Sequence, residues 1–358
     1  MRVLVTGGSG FIGSHTVRKL LESGHHPIII DEKYNNLTNI LKENFNVPFI
    51  HSKIGNKKVV KEIIIGEHIN LKNTIHENQT IDAVMHFAAS INVNESLNNP
   101  LKYYKNNVGE IFNLLEVLCN NEIRSMRIFN SSVPIIFSST CSIYGIPKNN
   151  PILEEAEKRP ISPYGWSKLI SENIIKDLCY SSNLNSIILR YFNVAGASED
   201  SLLGENQNKE NHLIPTLINA AINTNNEFKL FGNNHPTPDG TCIRDYIHVN
   251  DIADAHILAL ESLKKELFME QASFDMKHRT FNLGNEKGTS VLEVIDAVET
   301  ICRKKVNYEI LKKREGDPPI LISSSKKIKS ELNWEPQHKS INEIVTHSYN
   351  WIKKLNHM

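Results

Sequence analysis

Thr6-Gly7-Gly8-Ser9-Gly10-Phe11-Ile12-Gly13 follows a short apolar run, Val3 to Val5, and opens a helical pattern that continues to about Leu21. Strand, glycine-rich turn and helix in that order form the phosphate-binding start of a dinucleotide fold. Gly7 permits the tight turn, Gly10 lets the backbone approach a pyrophosphate, and Gly13 allows close helix-to-sheet packing. The helix N-terminus offers N–H groups that have no intrahelical partner and so suit an anion. A second apolar run, Pro27 to Asp31, ends in a carboxylate 18 residues beyond Gly13, placed to accept from a ribose 2′-hydroxyl. A carboxylate there repels a 2′-phosphate, which favours NAD; Lys33 nearby leaves NADP as the alternative.

Outward from this turn, β-branched runs alternate with longer helical patterns. Strands are expected at Val3 to Thr6, Pro27 to Asp31, Pro48 to His51, Ala83 to Ala88, Pro134 to Ser138 and Ser186 to Asn193, with helices beginning near Phe11, Lys57, Pro100 and Pro163. Apolar strands separated by helices imply a parallel sheet covered on both faces, so the expected class is α/β, a Rossmann-type doubly wound sheet. After Asn193 the rhythm loosens, and a smaller, interleaved C-terminal substrate domain is expected. On this reading 1–193 form the cofactor domain, 242–265 return to it through a helix from Asp251 to Leu263, and 194–241 with 266–358 make up the second domain. Short strands are expected at Phe281 to Gly284 and Val306 to Ile310. Lys61 to Thr80 and Asn120 to Val133 exceed ordinary connections and are expected to be surface insertions.

Composition narrows the partners. Lys plus Arg and Asp plus Glu balance at 40 each, with pI about 7.3, so no broad cationic field suits nucleic acid. No window reaches the roughly 18 unbroken apolar residues of a membrane helix. The chain passes from Met1-Arg2 straight into its first strand, so no signal peptide is expected and the cytoplasm is the expected compartment. Five cysteines without a Cys-x-x-Cys pair, and 15 histidines without a ligand pair at helical spacing, predict reduced thiols and no metal.

Tyr164-Gly165-Trp166-Ser167-Lys168 sets a phenol and an ammonium four residues apart, on one face of a helix that starts at Pro163. A nearby ammonium and a cationic nicotinamide ring are expected to lower the phenol pKa from about 10 and make it a base. Phe137-Ser138-Ser139-Thr140-Cys141-Ser142-Ile143-Tyr144-Gly145, a hydroxyl-bearing strand end upstream, supplies a third partner.

These residues resemble the extended short-chain dehydrogenase/reductases and, among them, the UDP-glucose 4-epimerase family, over nearly the whole chain. Further matching stretches are His86-Phe87-Ala88-Ala89, Asn94-Glu95-Ser96, Pro100 to Asn107, Arg190-Tyr191-Phe192-Asn193, Asn211-His212-Leu213-Ile214-Pro215, Phe231-Gly232-Asn233, Asp239 to Val249, Phe281 to Gly284 and Arg314-Glu315-Gly316-Asp317. The resemblance implies that Phe11, Ile12, Asp31, Asn35, Asn36, Ile54, Phe87, Ala88, Ala89, Asn106, Lys168 and Phe192 line the NAD site. It implies that Thr140 and Tyr164 meet the sugar 4-hydroxyl, and that Asn193, His212, Leu213, Phe231, Arg244, Arg314 and Asp317 bind a UDP-hexose. Two arginines on a diphosphate make physical sense, since each guanidinium holds two oxygens; an ion pair of Arg244 with Asp245 or Asp251 is the structural alternative.

Two departures stand out: Lys53 precedes Ile54 where many members carry an acid, and Ile91 stands where some carry a lysine. Dehydratase relatives need a carboxylate beside the triad hydroxyl; here Thr140 is followed by Cys141 and Ser142. Leu321, four residues after Asp317, matches the position bordering the sugar 2-substituent, so UDP-glucose and UDP-galactose are the expected main pair, with UDP-N-acetylglucosamine turnover as an accompaniment. A homodimer is expected by resemblance through the helices from Pro100 and Pro163, where Ile111, Leu114, Leu115, Leu118, Ile170, Ile174 and Leu178 are in excess of one sheet face.

Overall fold

The structure, a computed structural model, describes residues 1–127, 130–205, 212–223, 227–266, 274–314 and 316–356. Asn211 and Glu315 of the quoted stretches lie outside the described residues. In chain order the elements are β1 (Arg2–Thr6), α1 (Phe11–Glu22), β2 (His26–Asp31), α2 (Asn36–Phe45), β3 (Phe49–His51), α3 (Lys57–Ile64), β4 (Ala83–His86), α4 (Val93–Asn98), α5 (Pro100–Tyr103), α6 (Glu110–Leu118), α7 (Asn121–Ser125) and β5 (Ile135–Thr140). They continue with α8 (Pro163–Ser181), β6 (Ser186–Tyr191), β7 (Asn193–Ala195), α9 (Leu213–Ile222), β8 (Phe228–Phe231), β9 (Ile243–His248), α10 (Val249–Glu266), α11 (Phe274–Lys277) and β10 (His278–Leu283). The last are β11 (Gly288–Ser290), α12 (Val291–Cys302), β12 (Tyr308–Leu311), β13 (Ile320–Leu321), α13 (Lys326–Leu332) and α14 (Ile341–Leu355).

The chain divides into two compact units, 1–143 with 162–190 and 253–281, and 144–161 with 191–252 and 282–358. The first is built on a seven-stranded sheet in the order β10-β6-β5-β4-β1-β2-β3. β1 pairs in parallel with both β2 and β4, so the strand order reverses there, and open α/β sheets bind ligands at such a reversal. Its core joins Leu4, Ile28, Val84, Ile135 and Ile188 of the strands to Ile111, Leu114, Leu118 and Ile175 of the helices. Each of these apolar side chains contributes about 1.5–3 kcal/mol through burial. In the second unit β9 is flanked by β11 and β13 and also pairs with β7, and β12 runs parallel to β8.

Several expectations change. The strand from Ala83 stops at His86, because Phe87 and Ala88 turn across Gly7. The strand from Ser186 breaks at Phe192, sending β6 and β7 into different sheets. The unit boundaries differ from those expected, since β9 makes its ladders with strands of the second unit, whereas β10 extends the large sheet beside β6. The expected surface insertions are partly core: Ile63, Ile64, Leu71, Ile123 and Val133 are all buried in the same apolar cluster. Three of the residues expected at a dimer face, Ile111, Leu114 and Leu118, are fully buried there as well, Leu115 is 1% exposed, and Ile174 and Leu178 pack against them.

Candidate active site

In the first unit the glycine turn has the geometry that its residues require. Gly7 has φ +71°, donates its N–H to the Ile30 carbonyl at 3.0 Å, and lies so close to the β4 loop that a Cβ would fall 2.5 Å from the Ala88 nitrogen. A Cβ on Gly13 would fall 2.3 Å from the Gly7 oxygen, so helix and turn meet backbone to backbone. Gly10 caps α1 without any side-chain acceptor, and a Cβ on it would meet only the Gly7 oxygen, at 3.2 Å. The N–H groups at Phe11 and Ile12 thus face an open cradle, which fits a pyrophosphate.

Around it, Asp31 accepts from Ser9 N–H at 3.1 Å and Lys33 N–H at 3.0 Å; burial pushes its carboxyl upward against both bonds. Asn35 caps α2 and its amide donates to the Ser9 carbonyl at 2.9 Å, so it braces the turn. Asn36 is exposed at the start of α2, and Ile54 is packed into the core. Phe87 packs against His256 with ring centroids 4.7 Å apart and planes tilted by 38°, and Ala88 and Ala89 are half-buried. The Asn106 amide donates to the Ser90 hydroxyl at 3.2 Å, within a π-helical turn, Tyr104–Gly109, that interrupts the helix from Pro100.

Thr140, Tyr164 and Lys168 converge. Thr140 is the last residue of β5, and Ser162 caps α8 by accepting from Gly165 N–H at 3.2 Å, with Pro163 at the first turn. Tyr164 and Lys168 therefore lie one turn apart, 9% and 3% exposed, and Tyr164 hydrogen-bonds Thr140. The protein's own groups do not by themselves lower the phenol. Burial pushes Tyr164 up to about 12, opposed by the Thr140 hydrogen bond. Lys168 does not hold it down: its ammonium donates to the Ser138 carbonyl at 2.8 Å, lies 4.9 Å from the Phe137 ring centroid, and is lowered to about 7 by burial against the pull of Glu172. Each group is drawn toward its neutral form by the dry site.

In the second unit Arg244 on β9 pairs with Asp317 at 2.7 Å, rather than with Asp245 or Asp251. Those two carboxylates hold backbone instead, Asp245 accepting from Asn285, Glu286 and Ser323 N–H, and Asp251 from Gln337 and His338 N–H. The Arg314 guanidinium lies 3.9 Å from the Phe231 ring centroid, presenting an exposed cation beside an aromatic plane. Leu321, 8% exposed, stands opposite Arg244 in the β9–β13 ladder. Asn193 begins β7, facing Tyr246 of β9, and Phe192 before it is buried. His212 is the residue before α9, its Nδ1 2.6 Å from a Glu205 carboxylate oxygen, and Leu213 opens the helix.

The model of the NAD dependent epimerase/dehydratase family matches residues 3–271. The chain belongs to that family. It is 38% identical over 357 residues to a UDP-glucose 4-epimerase of Halalkalibacterium halodurans, covering 100% of this chain and 97% of that one. It is similar, with a TM-score of 0.86 and 31% identity over 100% of this chain and 99% of the other, to the UDP-glucose 4-epimerase of Stenotrophomonas maltophila crystallised with NAD and formylated UDP-arabinopyranose. A third relative, from Bifidobacterium longum in complex with NAD⁺ and UDP, gives 0.84 at 31% identity, over 99% and 98%.

Within this NAD-dependent family site, sequence reasoning missed two supports. Asn107 is 4% exposed; its carbonyl oxygen accepts from Ser90 N–H at 2.8 Å, and its amide donates to the Ser90 carbonyl at 2.9 Å and the Ser167 hydroxyl at 3.0 Å, tying the β4 loop to α8. Glu172 takes two bonds from Arg190, at 3.0 and 2.7 Å, and one from Ser139. The second had a signal, since Tyr164, Lys168 and Glu172 repeat every fourth residue on one helix face. Asn107 had none, because it is the π turn that sets its direction.

Proposed function

We propose that this protein interconverts UDP-galactose and UDP-glucose by oxidation and re-reduction at carbon 4 of the hexose. The observation that carries the reading is the buried convergence of Thr140, Tyr164 and Lys168 in the unit that also holds the glycine cradle. The Gly7–Gly13 turn and Asp31 would hold NAD, which when bound would supply the hydride acceptor and donor for carbon 4 and a positive ring that favours the phenolate. Tyr164 takes the 4-hydroxyl proton through or beside Thr140 and gives it back to the 4-keto sugar from the other face. Lys168, one helical turn from Tyr164, donates to the Ser138 carbonyl and so braces the strand end that carries Thr140. Arg244, Arg314, Phe231 and Asp317 are the groups suited to the diphosphate and uridine; holding these firmly and the hexose loosely lets the keto sugar turn before hydride returns. The absence of a carboxylate after Thr140 speaks against dehydration.

Purified protein with UDP-galactose should form UDP-glucose and show partial reduction of bound NAD at 340 nm. No conversion, with or without added NAD, would overturn the assignment. A homodimer accompanies this reading, supported by large apolar side chains left exposed on the helices involved: Leu101 at 82%, Phe112, Trp166 and Tyr180. Light scattering at low micromolar protein should return twice 40.7 kDa, and the monomer mass would count against it. The cytoplasm is the compartment proposed, in keeping with five unbridged cysteines; no helix among the described residues is long and apolar enough to cross a membrane.

A further inference from the structure

Three histidines from three separate elements of the second unit meet away from the residues assigned above. His248 ends β9, His347 lies on α14, and His338 stands in the segment before that helix. One ring nitrogen of each lies within 4.8 Å of the other two, the only such trio of potential ligands among the described residues. His248 Nε2 and His347 Nδ1 are 3.0 Å apart, and the His248 and His338 rings have centroids 4.2 Å apart. Ligands at 2.0–2.1 Å from a tetrahedral ion stand about 3.3 Å from each other, so the first pair is already close and the third needs a shift of at most roughly 1.5 Å. The partly exposed side chains of His338 and His347 leave room for that rotation.

The surroundings are those of a ligand set. His338 Nδ1 is 2.8 Å from a Glu343 carboxylate oxygen, an arrangement that fixes a ligating imidazole and raises its basicity. Glu199 lies 3.8 Å from His338 Nε2 and is exposed enough to swing in as a fourth ligand. Asp251 clamps the backbone of Gln337 and His338, and the Asn285 amide bonds the His338 carbonyl, so the segment is held in place before any ion arrives.

We propose that His248, His338 and His347 form a binding site for a borderline divalent transition-metal ion such as Zn²⁺, joining β9 to the C-terminal helix α14. All-imidazole ligation selects this class over Mg²⁺ or Ca²⁺. One cost is visible. Asn250 N–H donates to His248 Nδ1 at 3.1 Å, which leaves the ring proton on Nε2. Metal at Nε2 moves that proton to Nδ1 and takes the acceptor from Asn250, so affinity should be weaker than in structural zinc sites, with Kd on the order of 1 µM.

The test uses chelator-washed, full-length protein with NAD bound. Zn²⁺ titration calorimetry should give one ion per chain, and Co²⁺ should develop ligand-field absorption. His347→Ala and His338→Gln should each weaken Zn²⁺ by tenfold or more and abolish the Co²⁺ bands, with epimerisation unchanged. No binding below about 100 µM, or a loss smaller than tenfold in both variants, means the trio is a hydrogen-bonded cluster only and overturns the proposal.

Discussion

In the first unit Tyr164 and Lys168, which we propose serve the proton transfer, are 9% and 3% exposed and pushed toward neutrality, whereas in the second the arginines proposed to meet the diphosphate stay near water, Arg314 exposed and the Arg244 side chain at 13% beside that of Asp317 at 27%. The difference follows from what each must do. A proton transfer gains from a dry site, because there a neighbouring charge changes the pKa of a phenol by units rather than tenths. A cation that must recruit an anion from solution gains from remaining ionised and partly solvated, paired with a carboxylate that the ligand can replace or share.

The strongest test of the dry half is Tyr164→Phe. It keeps the ring and removes the proposed proton carrier, and turnover should fall by about two orders of magnitude or more, with NAD binding intact; near-normal turnover would remove Tyr164 from the mechanism. Asp245 offers a way to break the contrast, because it is a fully buried carboxylate on the same strand as the partly solvated Arg244. Burial raises it to about 6, against the hydrogen bonds from Ser323, Asn285 and Glu286. Its folded pKa lies above its unfolded value, so the native state keeps a proton that the unfolded chain has lost between about pH 4 and 6. Stability should therefore fall as pH rises through that window, by up to about 3 kcal/mol, and flatten above it. Denaturant midpoints at several pH values should show this slope in the wild type and lose it in Asp245→Asn.

For the solvated half, Arg244→Ala should raise KM for UDP-galactose about tenfold or more with a much smaller change in kcat, as expected for a charged hydrogen bond made equally in ground and transition states. A matching fall in kcat would instead place Arg244 with the proton-transfer groups. The smallest effect is expected at Leu321, which we propose as the border of the 2-substituent. Leu321→Tyr should lower UDP-N-acetylglucosamine turnover relative to UDP-glucose by a few-fold to tenfold, and an unchanged ratio would show that another wall sets the pocket.

The legible part of the site is the part written in local spacing. Gly7, Gly10 and Gly13 around a strand end, and Tyr164 with Lys168 at one helical turn, announce their roles because turn geometry and the 3.6-residue period are properties of neighbouring residues. Resemblance added Arg244, Arg314 and Asp317, yet the ion pair that joins Arg244 to Asp317 appears only once β9 and β13 lie side by side. Spacing set Lys168 near Tyr164, but only the tertiary contacts of Lys168 with Ser138 and Phe137 determined where its ammonium points.

By itself, then, the sequence determined the parallel sheet, the glycine turn and the placing of Tyr164 and Lys168 on one helix face, since each depends on periodicity or on a backbone freedom that glycine alone supplies. Only the tertiary structure decided that Ile63, Ile64, Leu71, Ile123 and Val133 belong to the core, that Asn107 turns inward, and that His248, His338 and His347 meet. Those outcomes depend on contacts between residues far apart in the chain and on burial, and desolvation is a property of a place in the fold rather than of a residue type.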